Sequence, residues 1–577
     1  MELKTCQSCT KEFSVTPEDT QFYTKLDVPA PTFCAQCRLI RRLTHMNVRA
    51  LYKRTCDKCT RTFISTFSSD KSYTVYCPQC WWSDAWDPME YGKPYDFTKP
   101  FFVQFKELLE TIPQLGLNQM YTSMVNTEYA SLASYLKNCY LMFNSDYSED
   151  CAYGTYLEHS KESYDMYMSD ECERCYASSN LFKCHRVTYS AMCNECVDVH
   201  FSYNSVNCSN CFGCVNLRNA KYCIFNKQYT KEEYELELKQ LQAHSHAAIV
   251  EIQKRVETLM RHEPRKYASG LSNMNVTGDY IFNSRNTSLS YEIGGNEDSK
   301  YCQFLFLKPS TDCFDVTMWG ENLTRSYECL GVGSQEDMIK FSHDCWAPAT
   351  NLTYSLEILY PNNNLFGCYG LRNKQYTKEE YEELVPKIIE HMHAMPYVDA
   401  KGRVYTYGEF FPSELSRFHY NETLAQEYFP LTDSQAVSKG FTWQPTDNKE
   451  HKATIQTQDL PDSIREAKDS VTQEVIACAH AQTCTEQCTG AFRIIPQELA
   501  FYRAMDIPLP RLCPNCRHYG RLARRTPLTT VFREEHCGCT NATHSHAQRC
   551  TNTFLTAYPT DTPYLLYCES CYNAEIA

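Results

Sequence analysis

The chain has 577 residues, a formal net charge of −14, 34 cysteines, 42 tyrosines and only 19 glycines. Its length predicts several domains rather than one core, and its charge argues against a wholly basic nucleic-acid binder. No long apolar run marks a membrane span and MELKTCQSCT has no signal-peptide core, so a cytoplasmic location is expected, where Cys-x-x-Cys pairs point to metal rather than disulfides.

The first predicted unit, residues 1–50, pairs Cys6 and Cys9 with Cys34 and Cys37. The second, residues 51–97, pairs Cys56 and Cys59 with Cys77 and Cys80. Two such turns on separate hairpins supply the four soft ligands of a tetrahedral zinc site. Between them runs RLIRRLTHMNVRALYKR, carrying Arg38, Arg41, Arg42, Arg49, Lys53 and Arg54 with no acid. Arginine's planar fork suits phosphate oxygens, so the stretch is a nucleic-acid contact, a solvated helix face or a set of cations that neutralises acidic surface elsewhere on this chain.

Residues 98–127 are expected to form a helical connector led by Phe101, Phe105, Leu108 and Leu109. Trp81, Trp82 and Trp86 should anchor the ribbon pair to the neighbouring solenoid. In residues 128–230 cysteines fall at 139, 151, 175, 196 and 208, with steps of 12, 24, 21 and 12. That period predicts short strands stacked as the rungs of a β-solenoid, with cysteines in an inward column. Pairs such as Cys172/Cys175, Cys193/Cys196 and Cys208/Cys211/Cys214 have ligand-like spacing, but they also suit a small buried hydrophobe.

FGCVNLRNAKYCIFNKQYTKEEYE closes this block and FGCYGLRNKQYTKEEYE closes a second, at residues 266–376, which marks a duplication. Thr230 with Glu233, and Thr377 with Glu380, read as capping boxes. One long helix is expected over 231–265, a helical segment over 377–432, and a polar linker over 433–477 with a short helix near 461–476.

The C-terminus repeats the first unit. Cys488, Cys513 and Cys516 (unit 478–530) match Cys9, Cys34 and Cys37, and Cys484 is taken as the fourth ligand although it sits one residue early. In the last unit, 531–577, Cys550, Cys568 and Cys571 match Cys59, Cys77 and Cys80. Cys539 is taken as the remaining ligand, with Cys537 and His546 as alternatives. The basic stretch recurs too, with Arg517, Arg521, Arg524 and Arg525.

Residues 6–42, CQSCTKEFSVTPEDTQFYTKLDVPAPTFCAQCRLIRR, resemble the "probable zinc-ribbon" family: a Cys-x-x-Cys knuckle, a Phe, a Gln-Phe-Tyr stretch and Cys-x-x-Cys-Arg. Over most of its length the chain resembles large zinc-ribbon proteins of uncultivated bacteria with reduced genomes. The resemblance implies a fold and a metal, and no activity.

The expected architecture is mainly β with helices: two tandem zinc-ribbon pairs flanking a duplicated β-solenoid, holding about four zinc ions. The expected function is a scaffold binding RNA, DNA or a ribonucleoprotein through the basic stretches. The alternatives are a protein–protein scaffold using the solenoid face and a thiol-rich metal store. Candidate acids on the rungs, such as Asp146, Glu149, Asp150, Asp170 and Glu171, are not singled out by spacing. No phosphate loop or nucleophile elbow occurs, so no catalytic residue is assigned.

Overall fold

The computed structural model describes every residue except 307, 372–377, 446–451 and 577. The chain is mixed α/β, with 29% in strand and 25% in helix, so helices carry more of the fold than a mainly β chain would have.

Residues 130–224 form parallel strands laid one above the next. Phe143 pairs with Thr155, Thr155 with Tyr167, Tyr167 with Ser179 and Ser179 with Ala191. The same 12-residue step then carries Val197 to Ser209 and Lys221. Each turn is built from triplets. Every third residue from Leu132 to Phe225 has a positive φ, between 43° and 67°, which makes it a corner. Only Gly213 takes this conformation without penalty; for the rest it costs on the order of 1 kcal/mol or more each. Asn and Asp tolerate it best, and at several corners their side chains bond one turn on: Asn138 donates to Asp150, Asn204 to Asn216 and Asn207 to Asn219.

The residue after each corner faces inward, which sets a period of three that accounts for the cysteines. Cys139, Cys151, Cys172, Cys175, Cys184, Cys193, Cys196, Cys208, Cys211, Cys214 and Cys223 all share this phase, and all are buried. The interior is narrow and lies against backbone amides, so it takes small residues that can hydrogen-bond. Ser145 and Ser160 donate to the carbonyls two residues back, at 2.8 and 2.9 Å, and the thiols of Cys139 and Cys151 do the same at 3.3 Å. The serine oxygens also accept from the next turn, as from Leu157 N to Ser145 at 3.0 Å and from Cys175 N to Ser163 at 3.1 Å. Serine and cysteine are therefore interchangeable here. The Cys-x-x-Cys spacing inside the stack is a packing period.

A second stack runs from Gly270–Leu271 to Asn362–Phe366 in one ten-stranded sheet. Its steps vary, with 12 residues from Tyr291 to Gln303, 14 from Gln303 to Thr317 and 13 from Leu352 to Leu365. Cys302, Cys313, Cys329, Cys345 and Cys368 are buried inside it. Thr230 forms the expected capping box with Glu233, whereas Thr377 lies outside the described residues.

The expected long helix over 231–265 is two helices, Lys231–Gln240 and His246–His262. The chain breaks at Gln242, which has a positive φ, and Ser245 caps the second helix by accepting from Ala248 N. The connector helix is Phe101–Thr111 and buries Phe101, Phe102, Phe105 and Leu109. After the helix Lys378–Ala394 the chain packs Tyr405, Phe410 and Phe411 into the main core. The expected linker is packed where it is described: the helix Asp433–Ser438 buries Ala436 in the main core, with Phe441 and Trp443 against it. Two short turns, Ile464–Glu466 and Asp469–Gln473, bury Ile464 and Val471 in the core that also holds Leu499, Phe501 and Tyr502. No helix among the described residues is long and apolar enough to cross a membrane.

Candidate metal centres and the arginine clasp

Each terminal unit is a short antiparallel hairpin followed by a helix that a cysteine opens. In the first, Glu2–Thr5 pairs with Glu12–Val15, and Cys34 is the N-cap of the helix Ala35–Leu43. Cys6, Cys9, Cys34 and Cys37 bring their sulfurs within 4.8 Å of one another, as do Cys56, Cys59, Cys77 and Cys80. These spacings are those of a closed tetrahedral site. Hydrogen bonds from Cys34 and Cys37 lower the Cys6 thiol. The backbone N–H of Arg61, with the Cys80 thiol, lowers Cys59 to about 7. The same contacts and burial raise Cys34, Cys37 and Cys80, so without an ion each tetrad favours one thiolate hydrogen-bonded by neighbouring thiols.

The third unit brings Cys478, which the sequence reading did not name, to the place of Cys6. Its tetrad is Cys478, Cys488, Cys513 and Cys516. Cys478, not Cys484, follows the first hairpin strand, Ile476–Ala477, as Cys6 follows Glu2–Thr5. Cys478 N donates to Gly490 O at 2.8 Å, as Cys6 N donates to Lys11 O at 2.9 Å. The Cys478 sulfur accepts from Cys513 N at 3.3 Å, as Cys6 accepts from Cys34 N at 3.2 Å. The knuckle between Cys478 and Cys488 is simply longer. Cys484 sits in that longer turn as a fifth thiol, 3.7 Å from Cys516. Cys478→Ser is expected to lower the metal content of the chain by one ion while Cys484→Ser leaves it unchanged, as counted by native mass spectrometry.

The last unit follows the same rule. Cys537 accepts from Cys568 N at 3.2 Å, as Cys56 accepts from Cys77 N at 3.3 Å, and its tetrad is Cys537, Cys550, Cys568 and Cys571. Cys539 is not in this tetrad. It lies in the lengthened knuckle, where Cys539, His544 and His546 form a further group with Cys571.

Most of the basic stretches follow the alternative in which they neutralise acids elsewhere on this chain. Arg38 is buried with Nη2 2.7 Å from Asp315 Oδ2, and Arg42 is buried with Nη1 3.2 Å from Asp315 Oδ1. Arg41 reaches Glu328 at 2.7 Å and Glu409 at 3.0 Å. All three project from the Cys34-capped helix Ala35–Leu43 onto the second stack. At the other end, Arg517 and Arg521 of helix Pro514–Leu522 meet Asp165 of the first stack at 3.3 and 2.8 Å, and Arg525 pairs with Glu292. Arg49 bonds Thr155 and lies over the Phe143 ring, while Arg54 donates to the carbonyls of Ser68 and Tyr73. Of the ten cations proposed to face nucleic acid, only Lys53 and Arg524 are exposed. The acid-free stretches have their counter-charges elsewhere in this chain.

The two clasps are equivalent part by part. Phe22 stacks on Phe314 at 3.7 Å, next to Asp315, and Phe501 stacks on Tyr164 at 4.3 Å, next to Asp165. Tyr23 lies 5.3 Å from Tyr327, and Tyr502 lies 5.5 Å from Tyr176. Asp165 and Asp315 are both corner residues with positive φ. The repeated Phe-Tyr and Cys-x-x-Cys-Arg-x-x-x-Arg pattern is thus a docking surface for an aromatic–Asp corner, with the N-terminal copy on the second stack and the C-terminal copy on the first. The tryptophans behave as expected of anchors: Trp81 is buried, and Trp82 lies 5.5 Å from Tyr360 of the second stack.

A cleft of about 1220 Å³ lies between the two stacks. On one wall Asp146, Glu158 and Asp170 stand on successive strands, paired through their Cα positions. Beside them Tyr135, Tyr147 and His159 stack face to face at 4.7 and 5.1 Å. Trp319, Trp346 and the Lys308–Glu321 pair also line the cleft. Burial, with the charges of Asp146, Asp170 and Glu321, pushes Glu158 up to about 9. Composition and spacing could not single out these acids, because the pairing that lines them up is set by the 12-residue turn.

The chain matches no protein-family model and no curated protein. Among solved structures, a protein described as an acetyltransferase from Desulfovibrio desulfuricans G20 is 9% identical, over 50% of this chain and 75% of that one, with a TM-score of 0.10. A likeness at that level carries no argument about this chain.

Proposed function

We propose that the chain is a zinc-dependent scaffold. Its four terminal units are zinc ribbons of the "probable zinc-ribbon" kind, and its two strand stacks are the copies of a duplicated β-solenoid. The observation that carries this reading is the doubled clasp, in which arginines on metal-capped helices are buried against Asp315 and Asp165. Metal shapes the helix, the helix aims the arginines, and the arginines fix each ribbon to a solenoid. The thiolate tetrads supply the closed, four-ligand pattern of structural zinc. The 34 free thiols suit a reducing compartment such as the cytoplasm.

The product of this assembly is the cleft, and its chemistry favours a protein partner over a nucleic acid. Asp146, Glu158 and Asp170 stand in line with their carboxyls raised by burial, Glu158 to about 9, and an entering cation would draw them back to the charged form where a phosphate would not. Arg218, Arg265, Lys266 and Lys308 line other parts of the cleft, and the rings of Tyr147, Trp319 and Trp346 can take the faces of cationic or aromatic side chains. A nucleic acid would find only Lys53 and Arg524 exposed among the expected contacts. The test is binding of two labelled probes, an oligo-arginine peptide and a single-stranded RNA, to the metal-loaded protein. The peptide is expected to bind, with affinity at least tenfold weaker in Asp146→Asn/Asp170→Asn. RNA binding that falls with salt and is indifferent to those changes would overturn this reading in favour of the nucleic-acid one.

A further inference from the structure

The last unit holds more ligands than one ion can use. Cys537, Cys550, Cys568 and Cys571 form one group, and Cys539, His544, His546 and Cys571 form another, each with its donor atoms within 4.8 Å of one another. Zinc takes four ligands. Two tetrahedra that share one corner have seven vertices, and the two groups together present seven donors, with Cys571 common to both.

The imidazoles are arranged as ligands. His544 turns Nδ1 toward the Cys539 sulfur at 3.2 Å and Nε2 toward the Glu575 carboxylate at 3.3 Å, with the Asn541 amide nitrogen also 3.3 Å from Nε2 and donating to Glu575 at 3.4 Å. His546 turns Nε2 toward the Cys571 sulfur at 3.3 Å and Nδ1 toward the Gln548 carbonyl. In both rings one nitrogen faces a thiol of the group and the other faces an oxygen that can take its proton. A metal-binding histidine has this arrangement, because the outer hydrogen bond fixes the tautomer and leaves the inner lone pair free. The sulfur–sulfur distance of 3.9 Å between Cys550 and Cys568, and the sulfur–nitrogen distances above, are those of edges of a tetrahedron around a zinc-sized ion.

We propose that the C-terminal unit binds two divalent ions of the zinc class bridged by the Cys571 thiolate, one held by Cys537, Cys550 and Cys568, the other by Cys539, His544 and His546. The second ion ties the lengthened knuckle to the helix Glu569–Ile576, which begins two residues before Cys571. The third unit has a lengthened knuckle too, but the extra thiol there, Cys484, lies beside a complete tetrad and is counted as a spare. This inference rests on the zinc-ribbon reading and adds one ion to it.

The test uses the full-length protein. Native mass spectrometry of the zinc-loaded chain is expected to count five ions, and His544→Ala/His546→Ala four. Cys539→Ser, a second route to the same loss, should also give four. Loaded with cobalt, the wild type is expected to show less paramagnetic signal per ion than the histidine variant, because a shared thiolate couples two of its ions. A count that is the same in wild type and both variants would overturn the second ion. A count of five with no difference in signal per ion would overturn the bridge. Ions missing from the other three units, in wild type and variants alike, would count against the zinc-ribbon reading, while the difference of one ion would still decide the pair.

Discussion

Asp315→Ala is expected to destabilise the protein by about 3–5 kcal/mol, because it leaves a buried charge without its partner. The figure is at the high end of single substitutions because this one carboxylate serves two buried arginines, Arg38 and Arg42. Glu328 cannot replace it, since it already meets Arg41 at 2.7 Å and Arg42 at 3.5 Å. Asp165→Ala should cost a similar amount at the other clasp, where Arg517 and Arg521 share that carboxylate. The two clasps have no partner in common, so the double variant should show nearly the sum of the two effects. Urea unfolding midpoints measure this, and limited proteolysis should release residues 1–50 first from Asp315→Ala and residues 478–530 first from Asp165→Ala. A cost within about 0.5 kcal/mol, the usual range for a surface change, would mean that the clasp does not hold.

Removing metal at neutral pH should have a larger and different effect. The terminal units are small hairpin-and-helix pieces with little core of their own, and structural zinc in peptides of that size supplies roughly 10–16 kcal/mol of apparent folding free energy. The stacks need no metal. Most of their inward serines and cysteines bond backbone groups, as where Ser190 accepts from Ser202 N at 3.0 Å and itself donates to Thr188 O. A strong chelator is therefore expected to abolish the calorimetric transition of the terminal units and leave that of the stacks. Trp81, Trp82 and Trp86 lie in the second unit and should shift their emission to the red, while Trp319 and Trp346 in the second stack should not. A single transition unchanged by chelation would remove the metal from the account.

The two ends of the chain were unequally legible. At the N-terminus both Cys-x-x-Cys turns are short, so the spacing names all eight ligands. At the C-terminus the knuckles are stretched, and Cys484 and Cys539 lie nearer to the expected spacing than Cys478 and Cys537 do. What would have found Cys478 and Cys537 is position after the first hairpin strand, since in all four units the first cysteine of the tetrad follows that strand. In the stack the 12-residue turn could be read from Cys139, Cys151 and Ser163. The step of 21 from Cys175 to Cys196 could not, because it reports the triplet corners, and a run of non-glycine residues with positive φ has no signature in composition. Which acids the arginines meet was hidden for a simpler reason. Their partners, Asp315 and Asp165, lie hundreds of residues away among 70 acidic residues, and only the folded chain reveals which two matter.

Amide hydrogen exchange along Ala35–Leu43 and Pro514–Leu522, with and without metal, is the most direct test of the scaffold. Loaded protein should protect both helices as strongly as the strands they press on; stripping the ions should expose both, while the strands around Asp165 and Asp315 stay closed. If the stripped protein kept both helices protected, metal would not be what aims the arginines, and the scheme drawn from them would be wrong.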